Sequence, residues 1–302
     1  MKFIKIAAAA ALAAAFALAG VLTTAPVQAG TAEDRQKEGE AAVAAARAAT
    51  VKGPSDITLR DQAVLKLPAG MEYVPQPQAG RLMQAMGNSS DDRLIGLVQS
   101  SGDPQWLVVA RYEAAGYIKD DDAKDWNVDD LYKSLKEGTE AGNKRRREQG
   151  FPELEIVGWV QKPSYDATAH RLVWSMAART PGENDAQQSI NYNTYALGRE
   201  GYITLNLITS RGAIEADKPV AGQLLSALNF NGGKGYADFN SSTDKVAEYG
   251  LAALVAGVAV KKLGLFAVIA AFFLKFAKVA LLAGAGLLAV IGKFFSRKKS
   301  DT

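Results

Sequence analysis

The chain contains no cysteine. Disulfides, thiol nucleophiles and cysteine-ligated metals are therefore excluded. It contains one histidine, His170, so no histidine-rich metal site forms within a single chain. No G-x-S-x-G turn for a hydrolase nucleophile occurs. The glycine-rich "NGGKGY", Asn231 to Tyr236, lacks both the spacing of a phosphate loop and its following Ser/Thr, and reads as a turn after a helix. No internal repeat is visible, and long hydrophobic runs are missing except at the two ends.

The N-terminal run is built as an export signal. Lys2 and Lys5 flank a positive start, Ile6 to Leu22 is an Ala/Leu/Phe stretch, and Val27-Gln28-Ala29 provides small or short side chains before a cleavage point. The expected mature N-terminus is Gly30. An exported domain without disulfides is stable from its core alone, which suits a bacterial envelope protein.

A net charge of +3 conceals a division. Residues 30–245 carry 25 Lys/Arg and 30 Asp/Glu, a balance of −5, whereas residues 246–302 carry 8 and 2, a balance of +6. The acidic part is a poor nucleic-acid binder, and no nucleic-acid partner is expected. The basic tail beside an apolar run is what a cytoplasmic leaflet attracts.

Along the chain, residues 30–52 read as an Ala-rich, charged linker or solvated helix, and residues 53–245 as a periplasmic α+β domain. "ITLRDQAVLKLP" alternates as one or two strands. Arg81 to Met86 reads as a short helix, and Gln105 to Ala114 as a buried strand. Asn127 caps a helix with Val128, Leu131, Tyr132 and Leu135 on one face and Asp129 and Asp130 in its first turn. "LEIVGWVQ" and "HRLVWSMAAR" form a hairpin joined by "KPSYDATA". "INYNTYAL" and "YITLNLIT", joined by "GREG", form another. Asp217 is expected to cap a helix carrying Leu224, Leu225 and Leu228 on its inner side. Adjacent hairpins with helices between them predict a mainly antiparallel sheet with packed helices, class α+β.

The acidic run Asp120, Asp121, Asp122, Asp125, Asp129 and Asp130 has the residue type of a cation site. Counted from Asp125, however, it puts Asp130 where a calcium loop needs glycine and Lys136 where it needs glutamate. A solvated loop with a helix cap explains the same residues. His170 begins a strand beside Arg171 and near Asp166; with no nucleophile on a sharp G-x-S-x-G turn to serve, it reads as a loop-edge residue making one hydrogen bond. Trp159, Trp174, Tyr192 and Tyr195 read as sheet packing, and "KRRRE", Lys144 to Glu148, as a solvated helix end. No catalytic residue, cofactor or metal ligand is assigned.

Four stretches, "GYIKDDDAKDW", "EIVGWVQKPSYDATAHRLVWSM", "INYNTYALGREGY" and "GYADFNSSTDKVAEYGLAALVAGVAVKKLGLFA", together closely resemble the bacterial uncharacterised membrane-anchored protein family, domain of unknown function 2167. The resemblance covers nearly the whole mature chain. It implies an exported domain with a C-terminal membrane anchor and no established activity. More loosely, a central sheet with a late helix before "NFNGGKGYADF" looks like PsbP- and Mog1-type sandwich domains, which gives fold analogy only.

Residues 246–295 are read as the anchor. Val246–Val260, Leu263–Leu274 and Val279–Gly292 are apolar blocks broken by lysines, each shorter than the ~20 residues of a span. Lysines near helix ends snorkel, so Phe276 to Phe295 is a workable crossing with Lys278 and Lys293 at its two interfaces. Tyr249 to Leu274 is a second membrane helix or lies in the interface. Lys261, Lys262, Lys275, Lys278, Lys293, Arg297, Lys298 and Lys299 are the membrane-interface candidates, the last three in a cytoplasmic tail, residues 296–302. Gly250, Gly257 and Gly264 recur every seven residues, and Ala271, Ala285 and Gly292 continue that register. They form a small-residue seam suited to self-association. The expected partners are thus the lipid bilayer, a second copy of the chain through this seam, and an unidentified envelope protein. The expected role is a binding or scaffold module on the inner membrane. Its rivals are an envelope hydrolase or lipid-handling protein, and a transport or pore accessory.

Overall fold

The computed structural model describes residues 32–256, apart from 87, 89, 102–105, 125 and 149. The chain opens with α1 (Ala32–Ala49), β1 (Val51–Lys52), β2 (Ser55–Leu59), β3 (Ala63–Leu67), β4 (Met71–Pro75) and α2 (Gln78–Ala85). It continues through β5 (Leu94–Ser100), β6 (Leu107–Glu113), α3 (Val128–Glu148), β7 (Glu155–Asp166), β8 (Arg171–Arg179), β9 (Ser189–Leu197) and β10 (Tyr202–Ser210). The last elements are α4 (Ile214–Ala227), β11 (Leu228–Phe230) and α5 (Leu251–Ala256).

Two sheets result: an eight-stranded one in the order β1-β4-β5-β6-β10-β9-β8-β7, and a three-stranded one in the order β11-β3-β2. Every strand pairing is antiparallel. The α+β class expected from the sequence is what the molecule shows. On one face of the large sheet, Ile190, Ile203, Leu205 and Leu207 pack with Leu59, Leu65 and Leu67 of the small sheet and with Leu224 and Leu225 of α4. On the other face, Ala42 and Ala46 of α1 and Leu82 and Met83 of α2 cover Leu94, Leu97, Leu107, Val109 and Ile208.

Both hairpins expected from the sequence are present, as are β2 and β3 in "ITLRDQAVLKLP". Several details differ. The charged Ala-rich segment is a helix, but Ala42 and Ala46 are buried at a one-turn spacing, and Arg81 grips Glu38 through two hydrogen bonds of 2.7 and 2.9 Å. Residues 162–166, read as loop, extend β7. Pro163 is tolerated there because β7 is an edge strand. The register of β7 slips at three places, which blunts the open edge. Asp217 does not cap α4, which starts at Ile214; it is buried and accepts a hydrogen bond from Thr209 Oγ1. Arg146 in "KRRRE" is not solvated but 9% exposed, donating through Nε to Pro152 O at 2.6 Å.

Strands β4 and β5 had no sequence signal, because Pro75 ends one with Pro77 close behind, and Gly96 interrupts the other. Gly96 is there for space. A Cβ built on it would lie 2.4 Å from the Tyr73 ring, which is 5% exposed and donates its hydroxyl to Ile95 O at 3.0 Å. Burial pushes the Tyr73 phenol up to about 12, so it remains a donor at neutral pH. Gly96→Ala is expected to destabilise by about 1–3 kcal/mol through overpacking. Gly39→Ala, in α1 with nothing within 4 Å, should stabilise by up to ~1 kcal/mol. Urea denaturation of the two variants checks both signs.

Candidate functional site

The loop after β6 gathers four distant segments. Tyr117 N donates to Lys245 O at 2.8 Å, and Ala247 N donates to Tyr117 O at 2.9 Å, forming a short parallel bridge. Gly116, at φ 91°, leaves no room for a side chain, since a Cβ would meet Lys245 O at 2.6 Å. Ile118 is fully buried, and its carbonyl accepts the Tyr236 hydroxyl at 2.7 Å. Rings then stack in series. Phe239 lies 3.9 Å from Tyr117, Tyr117 lies 4.4 Å from Tyr236, and Tyr236 lies 4.0 Å from His170, centroid to centroid.

The far end of the stack carries titratable groups. Tyr165, near the tip of the β7–β8 hairpin, donates to Asp120 Oδ2 at 2.7 Å. Its oxygen also lies 3.1 Å from His170 Nδ1. The phenol has one proton, and it goes to Asp120. His170 Nδ1 is therefore the donor to the phenol oxygen, and Nε2 is left facing away from that bond. Burial first, and then the hydrogen bond to Asp120, raises the Tyr165 pKa, so the phenol keeps its proton. The His170 and Asp120 side chains are 30% and 28% exposed, and Nδ1 lies 3.8 Å from Asp120 Oδ2. His170 holds φ 51°, a left-handed conformation that few non-glycine residues adopt. Such backbone persists only where its surroundings over-determine it.

The acidic run thus serves the loop and its neighbours. Asp120 orients Tyr165. Asp122 accepts from Leu251 N at 3.0 Å and Ala252 N at 3.1 Å, so it caps α5. Asn127 Oδ1 accepts from Asp129 N at 2.9 Å and Asp130 N at 3.3 Å, as expected of the cap of α3. Asp125 lies outside the described residues. Among the described residues, no group of three or more His, Asp or Glu side chains could hold a metal. In "NGGKGY", Lys234 Nζ is bound by Glu200 at 2.8 Å and Asp61 at 3.1 Å. Trp159 and Trp174 meet edge-on at 6.1 Å on the α3 side of the sheet.

Of the small-residue seam, Gly250 is described, and it sits on the domain: a Cβ there would meet Asp122 Oδ2 at 2.5 Å. Gly257, Gly264, Ala271, Ala285 and Gly292 lie outside the described residues, as do Lys261, Lys262, Lys275, Lys278, Lys293, Arg297, Lys298 and Lys299. Among the described residues no helix is long and apolar enough to cross a membrane.

The constellation of Asp120, Tyr165, His170 and Tyr236 was not read from the sequence, where His170 stood as a loop-edge residue with one hydrogen bond. The available signal was that these residues fall in three of the four motif stretches. Chemically, the cluster presents one oriented imidazole nitrogen. The ring's partner among the described residues is a phenol committed to a carboxylate, so no nucleophile–base couple arises there.

The chain belongs to DUF2167, a protein family of unknown function whose model matches residues 51–295. No curated protein matches the chain. Among solved structures, that of cyanobacterial PsbP (CyanoP) from Synechocystis sp. PCC 6803 covers 60% of this chain and 91% of its own, at 11% identity and a TM-score of 0.37. At that score the likeness carries no argument.

Two tests follow from the loop. Asp122→Ala removes a helix cap, a loss of about 1 kcal/mol. It should also make residues 248–256 the first site of limited proteolysis, read by mass spectrometry of the fragments. Asp244, just before the bridge, is gripped by Arg199 at 2.7 and 2.8 Å, and these hydrogen bonds hold its carboxyl below the usual range. A depressed carboxylate stabilises above its unfolded pKa and loses that contribution as pH falls. Melting temperature should therefore fall as pH drops below ~4, and Asp244→Asn should flatten that fall while lowering stability at pH 7.

Proposed function

We propose that the chain is a membrane-tethered binding module of the bacterial envelope, with its α+β domain on the periplasmic side and its C-terminus in the cytoplasm. One observation carries this reading. The start of the apolar region is fastened to the domain: Asp122 caps α5, and Tyr195 donates to Leu254 O at 2.9 Å. That carbonyl lies inside the first apolar block, Val246–Val260, so the block begins on the domain itself. The family match supports the same reading, because it runs to residue 295 and so includes the apolar run in the shared unit. A large sheet layered between a small sheet and helices is the arrangement on which a PsbP- or Mog1-type sandwich would rest.

In this reading the lysines of residues 261–299 snorkel to lipid headgroups. The seam of small residues lets a second copy approach closely. A hydrolase is the weaker alternative, since the His170 ring is bonded to Tyr165 rather than to a nucleophile.

Topology tests the proposal. In spheroplasts, a tag after Thr302 should be protected from added protease, while residues within 53–240 should be digested or labelled. The N-terminus of the membrane-bound form should be Gly30. Labelling of both the tag and the domain from outside would mean an even number of crossings and would overturn the single-span reading.

A further inference from the structure

The cover on the small-sheet face of the large sheet thins toward its outer strands. Ala177 and Ile190 belong to the core there, whereas Val157, Val160 and Val173 on β7 and β8 are only partly buried against it. At that margin lies a cleft of about 270 Å³, whose lining includes Val157, Gly158, Ala177, Asp185, Gln188 and Arg211.

The backbone itself opens this space. The β7–β8 register pairs Ile156 with Ala178 and then Gly158 with Ala177, so Val157 is an extra residue and β7 bulges. Gly158 and Ala177 stand opposite one another and both line the cleft, so its floor carries nothing larger than a methyl group. A Cβ added at Gly158 meets nothing within 4 Å, and the residue has no positive φ. Glycine is therefore required here neither by backbone conformation nor by a close approach within the chain, unlike Gly96. A glycine inside a strand weakens it, and one of its uses is to let a ligand come near.

The charges around the cleft are unevenly committed. Asp185 is claimed twice, by Arg179 Nη1 at 3.1 Å and by Gln188 Nε2 at 2.7 Å. Arg179 also reaches Glu155 at 3.3 Å. Arg211, directly after β10, has its backbone fixed by donating its N–H to Gln188 O at 2.9 Å. Its side chain is exposed and, among the described residues, has no hydrogen bond or ion pair. An uncommitted guanidinium thus stands at an apolar cleft.

This inventory selects among guests. A cation meets Arg211 and finds the Asp185 carboxylate already engaged. A phosphate dianion meets one free cation with a carboxylate close by. A single carboxylate matches one guanidinium in charge and in its planar, two-toothed geometry. Size sets the remainder of the guest: an apolar cavity of ~150 Å³ holds benzene, so this cleft has room for one ring and its carboxylate.

We infer that the cleft binds a monocarboxylate whose apolar body is about the size of one ring. Arg211 takes the carboxylate, and the body lies over Gly158 and Ala177 against Val157. The inference gives the binding module a ligand class and rests on that reading, but not on the tether. Its titration fails or succeeds independently of the topology labelling.

Such a group comes either as a free acid or as the C-terminal residue of a peptide, and the test separates the two. The full-length protein, in an uncharged detergent, is titrated with phenylacetate and, separately, with N-acetyl-alanyl-phenylalanine, followed by ligand-observed NMR. Binding of at least one acid is expected, and the tighter arm identifies the source. Phenylacetamide, which keeps the ring and loses the charge, should bind roughly tenfold more weakly than the acid. Arg211→Gln should weaken the acid by roughly the same factor and leave the melting temperature unchanged, since that side chain holds nothing in the fold. Gly158→Val should abolish binding while keeping or raising the melting temperature, because the added side chain enters open space in a strand. Loss of folding cannot imitate that pairing. The proposal is overturned if neither acid binds, if phenylacetamide binds as tightly as phenylacetate, if Arg211→Gln leaves binding unchanged, or if Gly158→Val lowers the melting temperature.

Discussion

Strand β9 buries all nine of its residues, and the rest of the molecule is arranged around that constraint. A strand dry on both faces needs a cover on each side and a neighbour on each edge. β8 and β10 supply the edges through nearly continuous antiparallel registers. The small sheet and α4 close one face with aliphatic side chains. Burial of apolar area there is the main favourable term, at about 25 cal/mol per Å². The Thr194 hydroxyl, on that same face, is disarmed by a 2.6 Å bond to Leu205 O.

The opposite face is closed in a different way. Its helices arrive at the two flanks, α1 and α2 over β4–β6, and α3 and α5 toward β7–β9. The loop after β6 sets the second flank. Asp122 caps α5, Tyr117 pairs with residues 245–247, and Ile118 and Asp120 hold Tyr236 and Tyr165. One loop thereby fixes where α5 crosses Tyr195 and where the chain leaves the domain. The lone histidine belongs to this arrangement: its ring continues the aromatic stack and receives its orientation from a phenol that a carboxylate has already claimed.

Periodic and turn signals made much of this legible in the sequence. Alternation marked β2, β3 and the two hairpins, and the Asn127 cap marked α3, because these features are local. What failed was non-local. β4 and β5 lack alternation because their side chains are shaped by partners, as with Gly96 beneath the Tyr73 ring. Asp217 looked like a helix cap by its position, but its carboxylate is spoken for by Thr209, eight residues earlier on β10. The acidic run looked like a metal site or a solvated loop, and neither description shows that two of its carboxylates hold Tyr165 and α5. Contacts across 45 and 129 positions leave no periodic trace.

The polar rung on β9 and β10 illustrates the same limit from the energetic side. In sequence, "NYNTY" reads as an ordinary strand, and asparagine is merely a poor strand former. Its cost appears only once the fold places Asn191 and Asn193 under cover, where an isosteric apolar residue would pack without penalty. Leucine or valine at these positions would extend the aliphatic layer under α1 and α2 across β9. A strand that keeps amides where its own neighbours favour aliphatic side chains gives up stability. On the face closed by the small sheet, the same strand keeps Ile190 and Ala196 in the core. The contrast between the two faces of one strand therefore separates an aliphatic face that the core needs from a polar face that the fold buries at a cost.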